Sequence, residues 1–182
     1  MPIEAYVIVS ANGMLADKTG IMPDALKFPA DQSFFESALD SADLIIHGRH
    51  SHEDQKRSAE RRRVVLTSRV PTLAKDGTHP LSTLWNPAGA TFEEACAAAG
   101  VGTTGRIAVI GGPAVYEIFL DRYDAFWLSQ AHQVNIEDGH GVFPGVPAST
   151  PQHILTSHGL RAAEHRVLDA AADVDLTAWR RA

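Results

Sequence analysis

The stretch Arg106–Asp124, "RIAVIGGPAVYEIFLDRYD", decides the fold. A tight apolar run from Ile107 to Ile110 stops at Gly111 and Gly112, and Pro113 then opens an amphipathic segment. This is a buried strand followed by a helix. In open α/β sheets, ligands sit beyond the carboxyl ends of the strands. Gly111 and Gly112 leave bare backbone there, because no Cβ intervenes. The helix that follows directs N–H groups and the positive end of its dipole to the same place, which suits a phosphate. Pro113 fits a first helical turn, where its missing N–H costs little. Taken alone, Gly-Gly equally fits a structural turn. It is not the G-x-G-x-x-G pattern, so an ordinary dinucleotide-binding dehydrogenase is a poor fit.

Outward from this stretch, strands and helices alternate. "EAYVIVSA" predicts a first strand, and residues 12–29 a loop punctuated by Gly, Pro and Asp. "ADQSFFESALDSA" predicts a helix with Phe34, Phe35 and Leu39 on roughly one face. "DLIIHG" and "RRRVVLTS" predict strands, and "STLW" is a candidate strand. "TFEEACAAAG" predicts a helix with Thr91 and Glu94 as a capping box and Gly100 at its end. Residues 113–124 predict a helix and residues 125–134 a strand; beyond Pro151 the pattern weakens. The alternation implies an α/β fold with a largely parallel central sheet. With 182 residues, and no linker or repeat, one domain over residues 1–182 is expected.

Composition narrows the class. The chain is 45% hydrophobic and 21% charged, which argues against disorder. No apolar run is long enough to cross a bilayer. The N-terminus lacks a basic segment and reads as a strand, so a cytosolic location is expected. Cys96 is the only cysteine, which excludes an internal disulfide or a zinc–thiolate framework. A packed thiol is the expectation. A net charge of −6 disfavours nonspecific nucleic-acid binding. Yet seven of the sixteen Lys and Arg residues fall between Arg49 and Arg69. A solvated edge and an anion site both fit that clustering.

Two further strand ends repeat the theme of the first. "DLIIHG" runs into Gly48, Arg49, His50 and Ser51, and "VVLTSR" runs into Ser68 and Arg69. Arginine and a hydroxyl at each end, with glycines at the third, make a cradle for a phosphorylated ligand. His47, His50 and His52 match no usual ligand spacing, and no metal is expected. Asp31 opens a helix. It fits either a dipole-stabilising cap or a carboxylate in a cleft beside Phe34 and Phe35, gripping an amidine-like edge.

In combined order, "PADQSFF", "GRHS", "VIGGPAVYEIFL" and "GVFP" resemble the dihydrofolate reductase superfamily over most of the chain. The resemblance implies a mostly parallel sheet of about eight strands, an antiparallel C-terminal hairpin and about four flanking helices. It implies NADPH as cofactor and hydride transfer to a C=N bond of a reduced pterin, with dihydrofolate as the reference substrate. It assigns Asp31 to the pterin's aminopyrimidine edge and to protonation, with Ser129 supporting it. Met22 and Phe35 fall on the substrate side, and Arg61 where a substrate carboxylate is paired. Gly48, Arg49, His50, Ser51, Ser68 and Arg69 fall at the cofactor's phosphates and adenosine. Ile110, Gly111, Gly112 and Tyr116 fall beside its pyrophosphate and nicotinamide. The loop from Asn12 to Phe28 is the implied lid.

The chain departs from the family pattern in several places, among them about two extra residues before Asp31 and no Trp or Tyr after "GRHS". Asp24 stands where a tryptophan usually follows Met22-Pro23. Pro113 and Ala114 replace a glycine and a basic residue. His140 replaces an acid, and the C-terminal third matches poorly. A riboflavin-pathway ribosylamino-pyrimidine reductase, another small-imine reductase and a non-catalytic nucleotide-binding protein therefore stand as alternatives. The expected partner is a small-molecule pterin or pyrimidine, with no nucleic acid and no membrane, on a monomer or homodimer.

Overall fold

The computed structural model describes residues 1–51, 56–102 and 104–181; His52, third of the clustered histidines, lies outside them. The central strand is β1 (Ile3–Ser10), whose residues are nearly all buried. The chain continues through β2 (Met14–Ala16), α1 (Pro29–Asp40), β3 (Leu44–Gly48), β4 (Arg63–Leu66), β5 (Leu73–Lys75) and β6 (Ser82–Trp85). Then come α2 (Phe92–Ala98), β7 (Ile107–Val109), α3 (Pro113–Ile118) and β8 (Ala125–Ala131). The last elements are β9 (His140–Gly141), α4 (Pro151–Ser157), β10 (Leu160–Asp169) and β11 (Val174–Arg181).

The main sheet has nine strands in the order β10-β11-β8-β1-β7-β3-β4-β6-β5. From β8 to β6 every pairing is parallel. The C-terminal β10–β11 hairpin joins β8 antiparallel, as the resemblance implies. The sheet exceeds the expected eight strands by β5, a three-residue edge strand that pairs antiparallel with β6. Three residues carry no period, so only pairing reveals it. β2 and β9 form a separate two-stranded sheet.

The topology places the site. The chain passes from β1 over α1 to β3 and leaves a slot beside β1. β7 enters that slot later, with Ile3 opposite Ile107 and Leu44 opposite Ile107 on its other side. The carboxyl ends of β1, β7, β3 and β4 therefore stand side by side. Two apolar clusters flank the sheet. The larger contains Phe92, Cys96, Val115, Phe119 and Tyr123. The smaller, under α1, contains Tyr6, Leu39, Ile45 and Trp127, with Phe34, Phe35 and Ile110 packed against it. Within it Glu4 accepts hydrogen bonds from the Tyr6 hydroxyl (2.6 Å) and the Trp127 indole (3.0 Å), so its buried carboxylate is satisfied.

Most local expectations hold. Thr91 and Glu94 form the capping box at α2, and Cys96 is buried, its thiol pushed up to about 11 by burial. The helix expected over residues 113–124 stops at Ile118. Its continuation is taken over by tertiary contacts. Asp124 N–H donates to the Ile3 carbonyl, and Ile3 N–H to Asp124 Oδ2, which turns the chain into β8 alongside β1. Among the described residues, no helix is long and apolar enough to cross a membrane.

Candidate active site

Asp31, Phe35 and Leu39 recur at helical spacing along α1, so Asp31 occupies the stripe that packs on the sheet. The carboxylate does not serve as a surface cap: Asp31 is only 7% exposed and is hydrogen-bonded to the Ser129 side chain. Burial pushes its pKa up, and the Ser129 hydrogen bond opposes that shift. Ser129 lies on β8 opposite Ile8 of β1, a pairing that carries it to Asp31. Phe34, Phe35 and Ile110 are half-buried on the same side of the sheet. A buried carboxylate thus stands beside an apolar, aromatic wall.

The strand exits meet next to it. Gly48 N–H donates to the Gly111 carbonyl at 2.7 Å, tying the end of β3 to the end of β7. The Gly111–Gly112 peptide is cis, and Gly111 has φ +102°. A Cβ on Gly111 would lie 2.8 Å from the Tyr116 ring, and one on Gly112 would lie 3.4 Å from Ser51 Oγ. Gly111 is therefore required by close approach as well as by conformation, whereas Gly112 has φ −77° and a Cβ there would make only ordinary contact. Tyr116 supports this turn from behind: it is buried, and its hydroxyl donates to the Tyr6 carbonyl at 2.8 Å. Burial pushes its pKa far up, with the Asp31 charge adding to the effect.

A cleft of about 340 Å³ opens beside these exits, lined in part by Arg49, Ser51, Thr67 and Arg69. Arg49 and Arg69 are exposed and bring two cations to its mouth. Two residues expected at the cofactor stand outside this lining. Ser68 is exposed and does not line the cleft; its neighbour Thr67 does, because strand parity sends adjacent side chains to opposite faces. His50 is also outside the lining, and its Nε2 accepts from Arg49 Nη2 at 2.9 Å.

Residues that sequence reasoning missed also line this cleft: His47, Arg63, Asp76 and His79. His47 was findable by its period of two with Ile45. Asp76 and His79 come from the β5–β6 hairpin, whose first strand left no signal. Hydrogen bonds from the Thr78 backbone and hydroxyl and from His79 hold the Asp76 carboxyl down at about 2.

The two other residues expected on the substrate side are Met22 and Arg61. Met22 is 37% exposed and outside both apolar clusters. Its loop is pinned at Met14 and buried Ala16 by β9 and at buried Leu26, leaving residues 18–22 at the surface. Arg61 is engaged with Asp40 at the far end of α1, Nη2 to Oδ1 at 2.8 Å.

The family model described as dihydrofolate reductase matches residues 3–170. No curated protein matches the sequence at a significant level. Among solved structures, a Shewanella sp. PV-4 protein named for riboflavin biosynthesis is 18% identical, with a TM-score of 0.71 over 100% of this chain and 99% of that one. Dihydrofolate reductase from Enterococcus faecalis, complexed with NADP(H), is 20% identical, with a TM-score of 0.64 over 99% and 96% of the two chains. The Thermotoga maritima diaminohydroxyphosphoribosylaminopyrimidine deaminase/5-amino-6-(5-phosphoribosylamino)uracil reductase is 15% identical, with a TM-score of 0.63. This chain covers 56% of that two-activity protein. At these identities the structures share the fold.

Proposed function

The chain belongs to the dihydrofolate reductase family, and from that membership we propose that it is an NADPH-dependent reductase acting on a C=N bond of a reduced pterin, with dihydrofolate as the reference substrate. The observation that carries the reading is Asp31, a carboxylate buried in the packing stripe of α1 beside an aromatic wall. A carboxylate there can accept both N–H groups of an aminopyrimidine edge. Burial raises its pKa, so it holds a proton to higher pH than an exposed carboxylate would. Ser129 fixes the carboxyl orientation. Phe35 and Ile110 present a flat apolar surface to a ring and exclude water from it.

The other half of the site fits a phosphorylated dinucleotide. Gly111 and Gly112 offer bare backbone, and a Cβ on Gly111 would meet the Tyr116 ring. Arg49 and Arg69 stand at the cleft with Ser51 and Thr67, a donor set suited to phosphate. The cofactor supplies the hydride when bound; this chain's residues bind it, orient it and hold the proton at the Asp31 carboxyl.

The test is NADPH oxidation with dihydrofolate by the wild type and by Asp31→Asn. Turnover that falls by about 100-fold or more in the variant supports the reading. NADPH binding without reduction of any dihydropterin removes the pterin and leaves ribosylamino-pyrimidines and other small imines. Absence of NADPH binding removes the cradle itself.

A further inference from the structure

The cleft beside the strand exits has two unlike ends. β4 and β6 pair in parallel, with Arg63 opposite Ser82 and Val65 opposite Leu84. Strand parity turns Val65, Thr67, Ser82 and Leu84 to the cleft, and Val64, Leu66 and Trp85 to the larger apolar cluster behind the sheet. Arg49 and Arg69 stand at the outer end, where the strands exit. Ser82 lies level with Arg63, four residues before Thr67, which is about 13 Å deeper at strand rise. Val65 and Leu84 lie between the two ends. They belong to neither apolar cluster and offer the cleft an apolar strip.

The inner end holds polar groups that the fold does not consume. Ser82 is 1% exposed, and its hydroxyl has no hydrogen-bond partner among the described residues. A buried hydroxyl left in that state is costly, and a ligand group in the cleft can satisfy it. The β5–β6 hairpin holds Asp76 beside it, because Asp76 N–H donates to the Ser82 carbonyl at 3.1 Å. The Thr78 N–H and hydroxyl both donate to Asp76 Oδ1, at 2.9 and 2.7 Å. His79 Nδ1 lies 3.2 Å from Oδ2. Oδ1 is thereby taken, while Oδ2 keeps capacity for a further donor. A charged carboxylate can only accept, so it selects a ligand edge that carries N–H groups.

Two cations, an apolar strip, and a hydroxyl with a carboxylate follow one another as phosphate, ring and amino-bearing edge do in a nucleotide. At about 340 Å³ the cleft suits one nucleoside portion of a dinucleotide. We propose that Ser82 and Asp76 determine base specificity: the Asp76 carboxylate accepts the exocyclic amine of the cofactor's purine, the Ser82 hydroxyl donates to the adjacent ring nitrogen, and Arg49 and Arg69 hold the phosphate. The inference rests on the NADPH half of the reading above and not on the pterin half. An oxo group in place of the amine faces the carboxylate with lone pairs on both sides, so a hypoxanthine base is rejected in this pose.

The test measures equilibrium binding of NADPH and of its deamino (hypoxanthine) analogue to the full chain, with no pterin present. The wild type binds NADPH about tenfold or more tightly than the analogue. In Asp76→Asn, whose amide can donate to the oxo group, the two bind within about twofold of one another. Ser82→Ala weakens NADPH binding about fivefold, whereas a hydroxyl that only packs would leave it unchanged. This second variant decides the matter if the hairpin does not tolerate Asp76→Asn. A wild type that binds both dinucleotides equally, an Asp76→Asn that keeps the full preference, or a Ser82→Ala of unchanged affinity overturns the proposal and leaves the cofactor reading standing. Failure of NADPH to bind the wild type overturns the two together.

Discussion

Asp31 occupies a position in α1 that packing would otherwise give to an apolar side chain. One turn on, Phe35 and then Leu39 continue the same stripe. From the residues alone a helix cap is the favoured reading of Asp31 over a carboxylate in a cleft, because acids in first turns commonly cap. Packing against β8 turns the side chain inward, where it hydrogen-bonds with Ser129. That bond stabilises the charged carboxylate, so its loss raises the pKa further. In Ser129→Ala the protonated form persists to higher pH. The descending limb of the kcat–pH profile, where proton delivery is lost, therefore moves to higher pH. An unmoved limb would separate Ser129 from the proton. The opening glycine makes a second residue-scale prediction. In Gly111→Ala the new methyl group meets the Tyr116 ring in a backbone conformation that L side chains rarely adopt. A loss of about 1–3 kcal/mol in denaturant stability is expected, together with weaker NADPH binding.

At the scale of elements, three strand exits assemble the proposed cofactor side: Gly48 to Ser51 after β3, Thr67 to Arg69 after β4, and Gly111–Gly112 after β7. The motif-bearing exits were legible because Gly and Arg punctuate apolar runs. The contribution of the β5–β6 hairpin was not, since β5 is too short to show a period. That Thr67 and not Ser68 lines the cleft has the same origin: only strand pairing fixes which side chain faces it. If Arg49 pairs with a phosphate that distinguishes NADPH from NADH, Arg49→Ala raises KM for NADPH by about tenfold, since a charge-assisted hydrogen bond is worth about 1.5–3 kcal/mol. KM for NADH stays unchanged. Equal loss for both cofactors would place Arg49 elsewhere on the dinucleotide.

Across the whole molecule, burying Asp31 destabilises the charged fold. A carboxyl whose pKa is raised on folding binds more protons in the native state than in the unfolded chain over the interval between the two values. Stability therefore falls as pH rises through that interval, and the penalty is fully present above it. Asp31→Asn removes the ionisable group. At pH 7 its melting temperature is expected to rise, by about 2–4 °C for each kcal/mol released in a chain of this size, even as turnover collapses. A melting temperature that falls equally at acid and neutral pH would mark Asp31 as a structural residue. The sequence by itself determined the alternation of strands and helices, the parallel centre of the sheet and the Gly-Gly junction, because these depend on local period, caps and turn residues. It also determined which residues could carry chemistry. The tertiary structure decided how they were used. It cut α3 short when residues 119–124 docked beside β1, added β5 to the edge and turned Asp31 inward to Ser129. It also joined Arg61 to Asp40, 21 residues away in sequence. Each of these outcomes is a competition between local preference and a partner distant in the chain, and the partner is known only once the sheet order brings the two together.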